Sequence, residues 1–396
     1  MTLAASVRDF CLRHGKKHIW IALSGGLDSR VLLDLCHTIR SDVPCLFRVI
    51  HVHHGLSPQA DQWVEQCAAV CLEYDVEFNL AHAHLKNKLG DSLEESARKA
   101  RYDLFASFLA ADDLLLTAHH QDDQAETLLL QLLRGSGPKG LSAMPALKPF
   151  ATGFHGRPLL NFSRQQLVSY AEERQLSWVE DESNDDCALT RNFIRHDVMP
   201  VFKRRWPTVE STLARSAQHC AEAQSLLDEV ANERLATVQG VASRTLSVSK
   251  LLSYSESWQR LLLRSWIIQS GFSLPPSTKL ISIQKTILRS AQDKMPCVRW
   301  RGAEMRRYRD DIHLISEVLC VPEVGQGLRL EMSDVTIRNR MPGESVEVLA
   351  RGRVSLKNLF QEWQVPTWER GNLPLLFCGN KLIQVPGYFK DPAYFL

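Results

Sequence analysis

The feature that most constrains the fold is a short apolar run that leads directly into a glycine turn. Residues 18–23 (HIWIAL) precede the turn at residues 24–29 (SGGLDS), and residues 31–35 (VLLDL) follow it. A bounded apolar run predicts a buried strand, and the segment after the turn predicts the opening of a helix. Adjacent glycines permit positive φ angles, and a helix start carries unpaired N–H groups and partial positive charge. The stretch therefore predicts a phosphate-binding turn.

The turn lacks the patterns of two common nucleotide sites. No lysine follows the glycines, as Gly-x-x-x-x-Gly-Lys-Ser/Thr would require, and Gly-x-Gly-x-x-Gly is also absent. Instead, the hydroxyls of Ser24 and Ser29 could donate to phosphate oxygens, and the carboxylate of Asp28 could hold magnesium. An ordinary strand-to-helix turn is the alternative interpretation.

Alternating segments continue after the turn. Their patterns predict strands at residues 46–52, 76–80 and 113–117, and helices at residues 59–74 and 92–110. This alternation favours an α/β fold, with a doubly wound parallel sheet that has helices on both faces. Ligands bind such sheets beyond the carboxyl ends of the strands. Three polar segments fall there, at residues 24–29, 51–55 and 118–123.

Acidic and histidine residues cluster after the fourth predicted strand. His119 is followed by Asp122, Asp123 and Glu126, before an apolar helix at residues 128–133. The spacing brings the three carboxylates onto neighbouring faces of a helix, where like charges repel unless a cation offsets them. Asp122 could be only a helix N-cap. Three acids beside two histidines exceed what a cap requires, so a site is predicted here.

Two pairs of arginines are candidates for binding phosphate. Arg98 and Arg101 lie three residues apart on a predicted helix, although Arg98 could instead form a surface pair with Glu94. Arg191 and Arg195 lie one turn apart in a basic stretch. Basic side chains can grip a phosphate backbone, but a basic helix face can also be merely solvated.

The remaining chain separates into three expected domains. Residues 1–210 contain the predicted sheet, residues 211–322 have a largely helical pattern, and residues 323–396 have short alternating runs typical of a small α+β domain. A loop or lid is expected at residues 135–148, which are rich in glycine and proline. In the last domain, Arg351 and Arg353 are interleaved with aromatic residues, a composition that suits RNA.

Composition narrows the class of protein. The chain is 44% hydrophobic and 23% charged, with a formal net charge of +2, so any nucleic-acid surface must be a local patch. None of the ten cysteines forms Cys-x-x-Cys, which leaves zinc and iron–sulfur sites without sequence support. Neither a signal peptide nor a membrane span is expected, and reduced thiols favour the cytoplasm.

Eight short motifs carry a family resemblance. They are residues 24–29 (SGGLDS), 51–56 (HVHHGL), 116–127 (LTAHHQDDQAET), 157–160 (RPLL), 181–184 (DESN), 191–195 (RNFIR), 356–361 (LKNLFQ) and 374–377 (PLLF). The first resembles the turn of N-type ATP pyrophosphatases of the PP-loop superfamily, which split ATP between its α and β phosphates and transfer AMP. Through nearly its whole length, the chain resembles the tRNA(Ile)-lysidine synthetase family.

The resemblance implies a two-step reaction on the wobble cytidine of an isoleucine tRNA with a CAU anticodon. ATP adenylates the C2 oxygen of the base and pyrophosphate leaves; the amine of free L-lysine then displaces AMP to form lysidine. ATP is the implied co-substrate and Mg2+ the implied cofactor. Residues 1–210 would be the ATP-pyrophosphatase catalytic domain, residues 211–322 a helical middle domain and residues 323–396 a tRNA-binding domain, in a cytoplasmic enzyme that could form a homodimer.

Roles for the turn follow from that chemistry. Backbone N–H groups at Gly25 and Gly26, with the Ser24 and Ser29 hydroxyls, would hold the departing pyrophosphate. Leu27 completes the turn that binds ATP.

Roles for the acidic segment stay partly open. Asp28 with Asp122 or Asp123 would hold magnesium, with Asp28 and Asp123 the preferred pair. Glu126 or one of the aspartates would recognise the lysine ammonium group. His119 would accept a proton or only shape the loop. Arg98, Arg101, Arg191, Arg195, Arg351 and Arg353 would contact substrate.

Two other classes of function compete with this interpretation. Another ATP pyrophosphatase could modify tRNA or form an amide, but cytidine-thiolating relatives usually need Cys-x-x-Cys, and NAD or GMP synthesis would leave the C-terminal domain unexplained. A tRNA-binding scaffold could keep the fold without catalysis. The intact turn and acids argue against the scaffold.

Overall fold

The computed structural model describes residues 2–55, 57–83, 93–180, 190–291, 294–316, 335–348 and 351–395. The chain divides into two compact units, Met1–Leu227 and Asp228–Leu396. The acidic turn at residues 181–184 and the expected domain boundary at residues 322 and 323 lie outside the described residues. Within the described ranges, no helix combines the length and the apolarity that a bilayer crossing requires.

The first unit alternates strands and helices from its start. Its strands are β1 (His18–Ala22), β2 (Leu46–His53), β3 (Glu77–His82), β4 (Leu114–Leu116), β5 (Leu147–Phe150) and β6 (Gly153–Gly156). Its helices are α1 (Leu3–His14), α2 (Leu27–Thr38), α3 (Ala60–Glu73), α4 (Leu93–Phe108), α5 (Gln121–Leu133), α6 (Pro138–Leu141), α7 (Arg164–Glu173), α8 (Thr190–Phe193) and α9 (Met199–Arg205). A π-helical turn, Ile194–Val198, joins α8 to α9, and α10 (Val209–Thr237) contains the point where the chain divides.

The strand order of the first sheet creates a crevice at β1. The order is β3-β2-β1-β4-β6-β5, in which β1 pairs in parallel with both β2 and β4. The chain therefore reverses its direction of winding between β1 and β4. Ligands bind at such switch points, beyond the carboxyl ends of the strands. Ile21 of β1 lies opposite Leu116 of β4, so the segments that follow the two strands emerge side by side.

Alternate residues of β1 build two separate cores. Ile19 and Ile21 are fully buried in a cluster with residues of α1, α2, α3 and α7. Trp20 lies in a second cluster with Phe105 of α4 and the nearby Leu109. Full burial stabilises each such side chain by about 1.5–3 kcal/mol. Helices cover both faces of the sheet, and the predicted doubly wound parallel fold is confirmed.

The hairpin of β5 and β6 was not predicted. It begins inside the stretch that was expected to be a loop or lid, which also contains the short helix α6. Both strands are only four residues long, and Pro149 and Gly153 interrupt any strand pattern. Only glycine fits at position 153, because an added Cβ would lie 2.2 Å from the carbonyl oxygen of Asp113, next to β4. Pairing with β4, rather than local propensity, therefore makes this segment a strand.

The first part of the second unit contains the expected helices and also a four-stranded sheet that was not predicted. It contains α11 (Val248–Leu252), α12 (Glu256–Gln269), α13 (Ser277–Ile283) and a π-helical turn, Gln284–Leu288. It also contains β7 (Leu246–Ser247), β8 (Cys297–Trp300), β9 (Ala303–Tyr308) and β10 (Asp311–Ser316), in the order β7-β10-β9-β8. β9 alternates strictly between buried and half-buried residues, a period-two pattern that the charged residues in its sequence obscure.

The last part of the second unit is a small α+β domain, as predicted. Its strands are β11 (Val335–Arg338), β12 (Ser345–Val348), β13 (Gly352–Ser355), β14 (Leu375–Cys378), β15 (Lys381–Val385) and β16 (Phe389–Lys390). Its one described helix, α14 (Leu356–Glu362), buries Leu359 and Phe360 in the core of this domain. The aromatic Phe360 therefore serves packing.

Candidate active site

The glycine turn lies between β1 and α2, as predicted. Gly25 has φ +92°, a conformation that favours glycine, and an added Cβ would lie 3.2 Å from Sγ of Cys67. Gly26 is the N-cap of α2 and supplies no side-chain cap, so the first N–H groups of the helix stay available for a ligand.

The two serine hydroxyls of the turn have different duties. Oγ of Ser29 accepts the backbone N–H of Ser24 at 3.2 Å and donates to the carbonyl oxygen of Gly26 at 2.9 Å. Because that hydroxyl has only one hydrogen, Ser29 braces the turn rather than donating to a phosphate. Oγ of Ser24 lies 3.1 Å from Oγ of Ser29 and is the better placed of the two to meet a ligand.

The second wall of the crevice is the start of α5. His120 is the N-cap, and the Asp123 side chain accepts its backbone N–H at 3.0 Å, as in a capping box. The alternative that Asp122 is the N-cap is therefore wrong. Oδ1 of Asp122 instead accepts the backbone N–H of Arg164, at the start of α7, at 3.0 Å.

His120 connects the two walls. Its Nε2 lies 3.6 Å from Oδ2 of Asp28 and 3.5 Å from Oδ2 of Asp123, and its Nδ1 lies 3.8 Å from Oδ1 of Asp122. Burial alone would lower the pKa of His120, but the surrounding carboxylates, Asp123 foremost, hold that pKa above its ordinary value. When it is protonated, the buried ring of His120 offsets the repulsion among the acids.

His120 had no individual role in the sequence-based interpretation. The available signal was its place as the second of two adjacent histidines, directly before the acids.

Arg191 and Arg195 lie against the same acids. Nε of Arg191 donates to Oε2 of Glu126 at 2.7 Å, and Nε of Arg195 donates to Oε1 of Glu126 at 2.6 Å. Their Nη2 atoms donate to Oδ1 of Asp123 at 3.0 and 3.1 Å. Both guanidinium groups are thus paired with carboxylates, and their predicted contact with substrate stays a prediction.

These pairs determine the charge state of Asp123. Burial would raise the pKa of the Asp123 carboxyl, but the positive charges of His120 and Arg191 hold that pKa well below its usual range. Glu126 is also buried, with both oxygens occupied by the two arginines. Neither acid offers an unpaired oxygen to a metal or to an ammonium group.

Asp28 differs from Asp123 and Glu126 in the partners of its carboxylate. Its Oδ1 is buried and has no hydrogen-bond partner among the described residues. Magnesium is usually held by one or two carboxylates together with phosphate oxygens and water. Asp28 fits that requirement, whereas Asp123 does not fit the predicted second position. Within the described ranges, no group of three or more histidine, cysteine or acidic side chains could hold a metal ion.

His119 belongs to a different network. Its Nδ1 lies 2.7 Å from Oγ1 of Thr117, which in turn lies 2.8 Å from Nε2 of His155 on β6. Burial lowers the pKa of His119 to about 3, against the opposing charge of Asp123. A group with that pKa is a weak base near neutral pH, so the geometry does not favour the predicted proton acceptor. The sequence offered no signal for His155, which lies 36 positions further along the chain.

The other predicted arginines lie on α4 and in the second unit. Arg98 on α4 is exposed, with its guanidinium 5.0 Å from the centre of the Tyr102 ring, and the side chain of Glu94, its alternative partner, is outside the described residues. Arg101 lies one helical turn further along α4. Arg351 and Arg353 belong to the second unit, where Nη1 of Arg351 donates to Oε2 of Glu362 at 3.0 Å and Arg353 is exposed on β13.

A cavity of about 590 Å³ opens beside α5 in the first unit. Asp122, Glu126 and Arg195 line one part of it, and Lys203 and Glu210, which form an ion pair, line another. Lys203 was only part of a basic stretch in the sequence, and Glu210 carried no signal. The cavity is wide enough for a small polar ligand.

Family models match three segments of the chain, and two relatives match more than nine-tenths of its length. A model of the PP-loop domain matches residues 1–202, the TilS substrate binding domain matches residues 246–313, and the TilS substrate C-terminal domain matches residues 335–395. The chain is 38% identical to tRNA(Ile)-lysidine synthase from Coxiella burnetii, covering 98% of this chain and 90% of that protein. It is 40% identical to tRNA(Ile)-lysidine synthase from Methylococcus capsulatus, covering 93% and 90%.

A solved structure, the U34-tRNA thiolase NcsA from Methanococcus maripaludis, matches with a TM-score of 0.47 and 18% identity. The match covers 56% of this chain and 78% of that chain.

Proposed function

Because the chain belongs to the tRNA(Ile)-lysidine synthase family, we propose that the crevice between β1 and β4 is its active site. The protein is a ligase that forms a carbon–nitrogen bond between lysine and C2 of the wobble cytidine of the CAU-anticodon isoleucine tRNA. ATP activates the cytidine as an adenylate, and AMP and pyrophosphate are released. The observation that carries the site assignment is the 3.6 Å approach of His120 to Asp28, which joins the turn to the acidic helix.

The turn would bind the phosphates of ATP. Backbone N–H groups at Gly25 and Gly26 and the start of α2 favour negative charge, and Ser24 adds a hydroxyl. Such preorganised donors stabilise charge as it develops on the departing pyrophosphate. Ser29 would act indirectly, by holding the turn in shape.

Asp28 would hold a magnesium ion at this position. Magnesium supplies positive charge that lowers the repulsion among phosphate oxygens. The support is the buried, unpartnered Oδ1 of Asp28, beside the helix start where the phosphates would bind.

The cluster of Arg191, Arg195, Asp123 and Glu126 would position the start of α5. Each acid accepts hydrogen bonds from both arginines, so the four side chains form one cross-linked network. Networks of this kind keep neighbouring groups in one geometry, which a reaction of three substrates needs. We therefore assign the arginines a positioning role in place of direct contact with phosphate.

Lysine would bind in the cavity beside α5. Asp122 lines that cavity, and its Oδ2 accepts no hydrogen bond from a described residue. An ammonium group needs a carboxylate partner when it leaves water. Of the acids that were candidates for this contact, Asp122 is the one that the arginines leave free.

The location and assembly of the enzyme are further proposals. The described cysteines are all free thiols, which agrees with a reducing compartment, and we infer a cytoplasmic enzyme. A homodimer stays a prediction.

The test is the product balance of the purified protein. With magnesium, lysine and the CAU-anticodon isoleucine tRNA, labelled ATP should yield AMP and pyrophosphate, and the wobble nucleoside should gain the mass of lysine less one water. The matched control is the same tRNA with uridine at the wobble position, which should give neither product. ADP as the product, or AMP release that does not depend on tRNA, would contradict the assignment; the second result would favour a small-molecule amide synthetase.

A further inference from the structure

Four side chains next to the candidate site are linked by hydrogen bonds in a row that ends at His119. Nη2 of Arg157 lies 3.1 Å from Nδ1 of His155, Nε2 of His155 lies 2.8 Å from Oγ1 of Thr117, and Oγ1 of Thr117 lies 2.7 Å from Nδ1 of His119. Arg157, His155 and Thr117 are buried, whereas His119 is half-buried and stands beside His120 at the crevice.

The direction of the first two hydrogen bonds follows from the chemistry of arginine. A guanidinium group has five N–H donors and no acceptor. Nδ1 of His155 must therefore accept from Arg157, and the ring hydrogen of His155 must be on Nε2, where it donates to Thr117. A protonated His155 would place an N–H group against the guanidinium, which agrees with the low pKa of His155, lowered by burial and by Arg157 to about 2.

The direction of the third hydrogen bond follows from the hydroxyl of Thr117. That oxygen accepts from His155, which leaves its single hydrogen to be donated. Among the described residues, Nδ1 of His119 is the only other polar atom within hydrogen-bond distance of it. A buried hydroxyl whose hydrogen has no acceptor is unfavourable, so Thr117 donates to Nδ1 of His119. The ring hydrogen of His119 is consequently on Nε2.

We propose that Arg157, His155 and Thr117 are positioning residues that hold His119 as a neutral ring with its hydrogen on Nε2. In that state His119 is a hydrogen-bond donor to a substrate oxygen, not a base. The ring nitrogen that carries the hydrogen is determined by the bond that the other nitrogen makes. The proposal rests on the proposed function for the identity of the substrate, but not for the state of the ring.

Two oxygens could accept this hydrogen bond: a phosphate oxygen of ATP or the C2 oxygen of the cytosine. Both are acceptors, so a neutral donor suits either one. The burial of His119 agrees with a neutral ring, because it keeps the pKa of His119 near 3.

The test is nitrogen NMR of the full-length protein with labelled histidine, which reads the ring state directly. The His119 signals are identified by their absence from the His119→Gln spectrum. They should show an Nδ1 without a hydrogen and an Nε2 that carries one. Addition of a non-hydrolysable ATP analogue alone should shift the Nε2 signal if a phosphate oxygen is the acceptor; a shift only after tRNA is added as well identifies the base oxygen. No shift with either ligand, or a hydrogen on Nδ1 in the free protein, would overturn the proposal.

Paired variants separate positioning from mere packing. Thr117→Ser keeps the hydroxyl and should keep both the ring state and kcat, whereas Thr117→Val should give a mixture of ring states and a kcat at least about tenfold lower, with KM for ATP little changed. His155→Gln can still accept from Arg157 and donate to Thr117, so it should resemble Thr117→Ser, and His155→Leu should resemble Thr117→Val.

The control is Thr245→Val, which removes a buried threonine hydroxyl from the second unit, where Thr245 bonds to Asp311 at 3.1 Å. It should leave the His119 signals and kcat unchanged. If Thr117→Val does not fold, the His155 pair carries the test. If His155→Leu keeps the wild-type ring state of His119 and the wild-type kcat, the proposed positioning role of His155 is refuted, whatever substrate the enzyme uses.

Discussion

Arg191 and Arg195 of the first unit and Arg351 of the second unit are all paired with glutamates, but in opposite environments. Arg191 and Arg195 in the first unit keep side-chain exposures of 23% and 27%, and both are paired with the nearly inaccessible Glu126. Arg351 in the second unit is 49% exposed, and its partner Glu362 is 52% exposed. All three arginines were predicted from the sequence to contact substrate.

The difference shows that burial and partners decide what an arginine can do. A buried carboxylate has lost its water and depends on its cation, so breaking the pair leaves an uncompensated charge. The two groups of an exposed pair stay hydrated whether or not they are paired, so the pair contributes little to the free energy of unfolding. An exposed arginine can therefore be released to bind RNA phosphate, whereas a buried one stays with its partner.

The largest expected difference between the two units follows from removal of one glutamate in each. Glu126→Ala should lower the free energy of unfolding of the first unit by about 3–5 kcal/mol, because two half-buried guanidinium groups lose their buried partner. The matched variant Glu362→Ala should change stability by less than about 0.5 kcal/mol. Urea unfolding of both variants measures the difference. Equal shifts in the two variants would show that burial does not distinguish the pairs.

Asp28 offers a second contrast within the first unit, because no described arginine side chain forms an ion pair with it. Asp28→Asn should lower the rate of AMP release by about 10²–10³, as loss of one preorganised charge at a reacting group does. Its tRNA affinity should be nearly unchanged. Its free energy of unfolding should also be nearly unchanged, unlike that of Glu126→Ala. The control is Asp9→Asn, at a surface pair with Arg8, which should keep full activity. Normal turnover by the Asp28 variant would remove its proposed metal role.

The smallest expected effect belongs to the exposed arginines of the second unit. Changing both Arg351 and Arg353 to Ala should weaken tRNA binding by roughly tenfold and reduce the salt slope of binding by about 2, one for each phosphate contact. AMP release at saturating tRNA should be unaffected. The double variant of Arg8 and Lys16, which pair with Asp9 and Asp112 on the surface of the first unit, is the matched control. An unchanged salt slope would assign Arg351 and Arg353 to solvation alone.

Local patterns predicted the parts of the site that are contiguous in the chain. The order of β1, the turn and α2 was predicted because a buried strand, two glycines and a helix start leave adjacent signals. The acidic start of α5 was predicted because its carboxylates lie within one helical turn. Missed strands such as β5 and β6 are short, and the pairing of β6 with β4 and of β5 with β6 outweighs their weak propensity.

The residue types and their alternation along the chain were enough to predict the parallel sheet and the glycine turn between β1 and α2. Only the tertiary structure decided which charges meet, because Arg191 and Glu126 are 65 positions apart and no periodicity relates them. Folding paired the arginines with Glu126 and Asp123, left Oδ1 of Asp28 without a hydrogen-bond partner among the described residues, and linked His155 to His119 through Thr117. The physical reason is that hydrogen bonds and ion pairs act over a few ångströms in space, whereas local patterns act over a few residues in the chain.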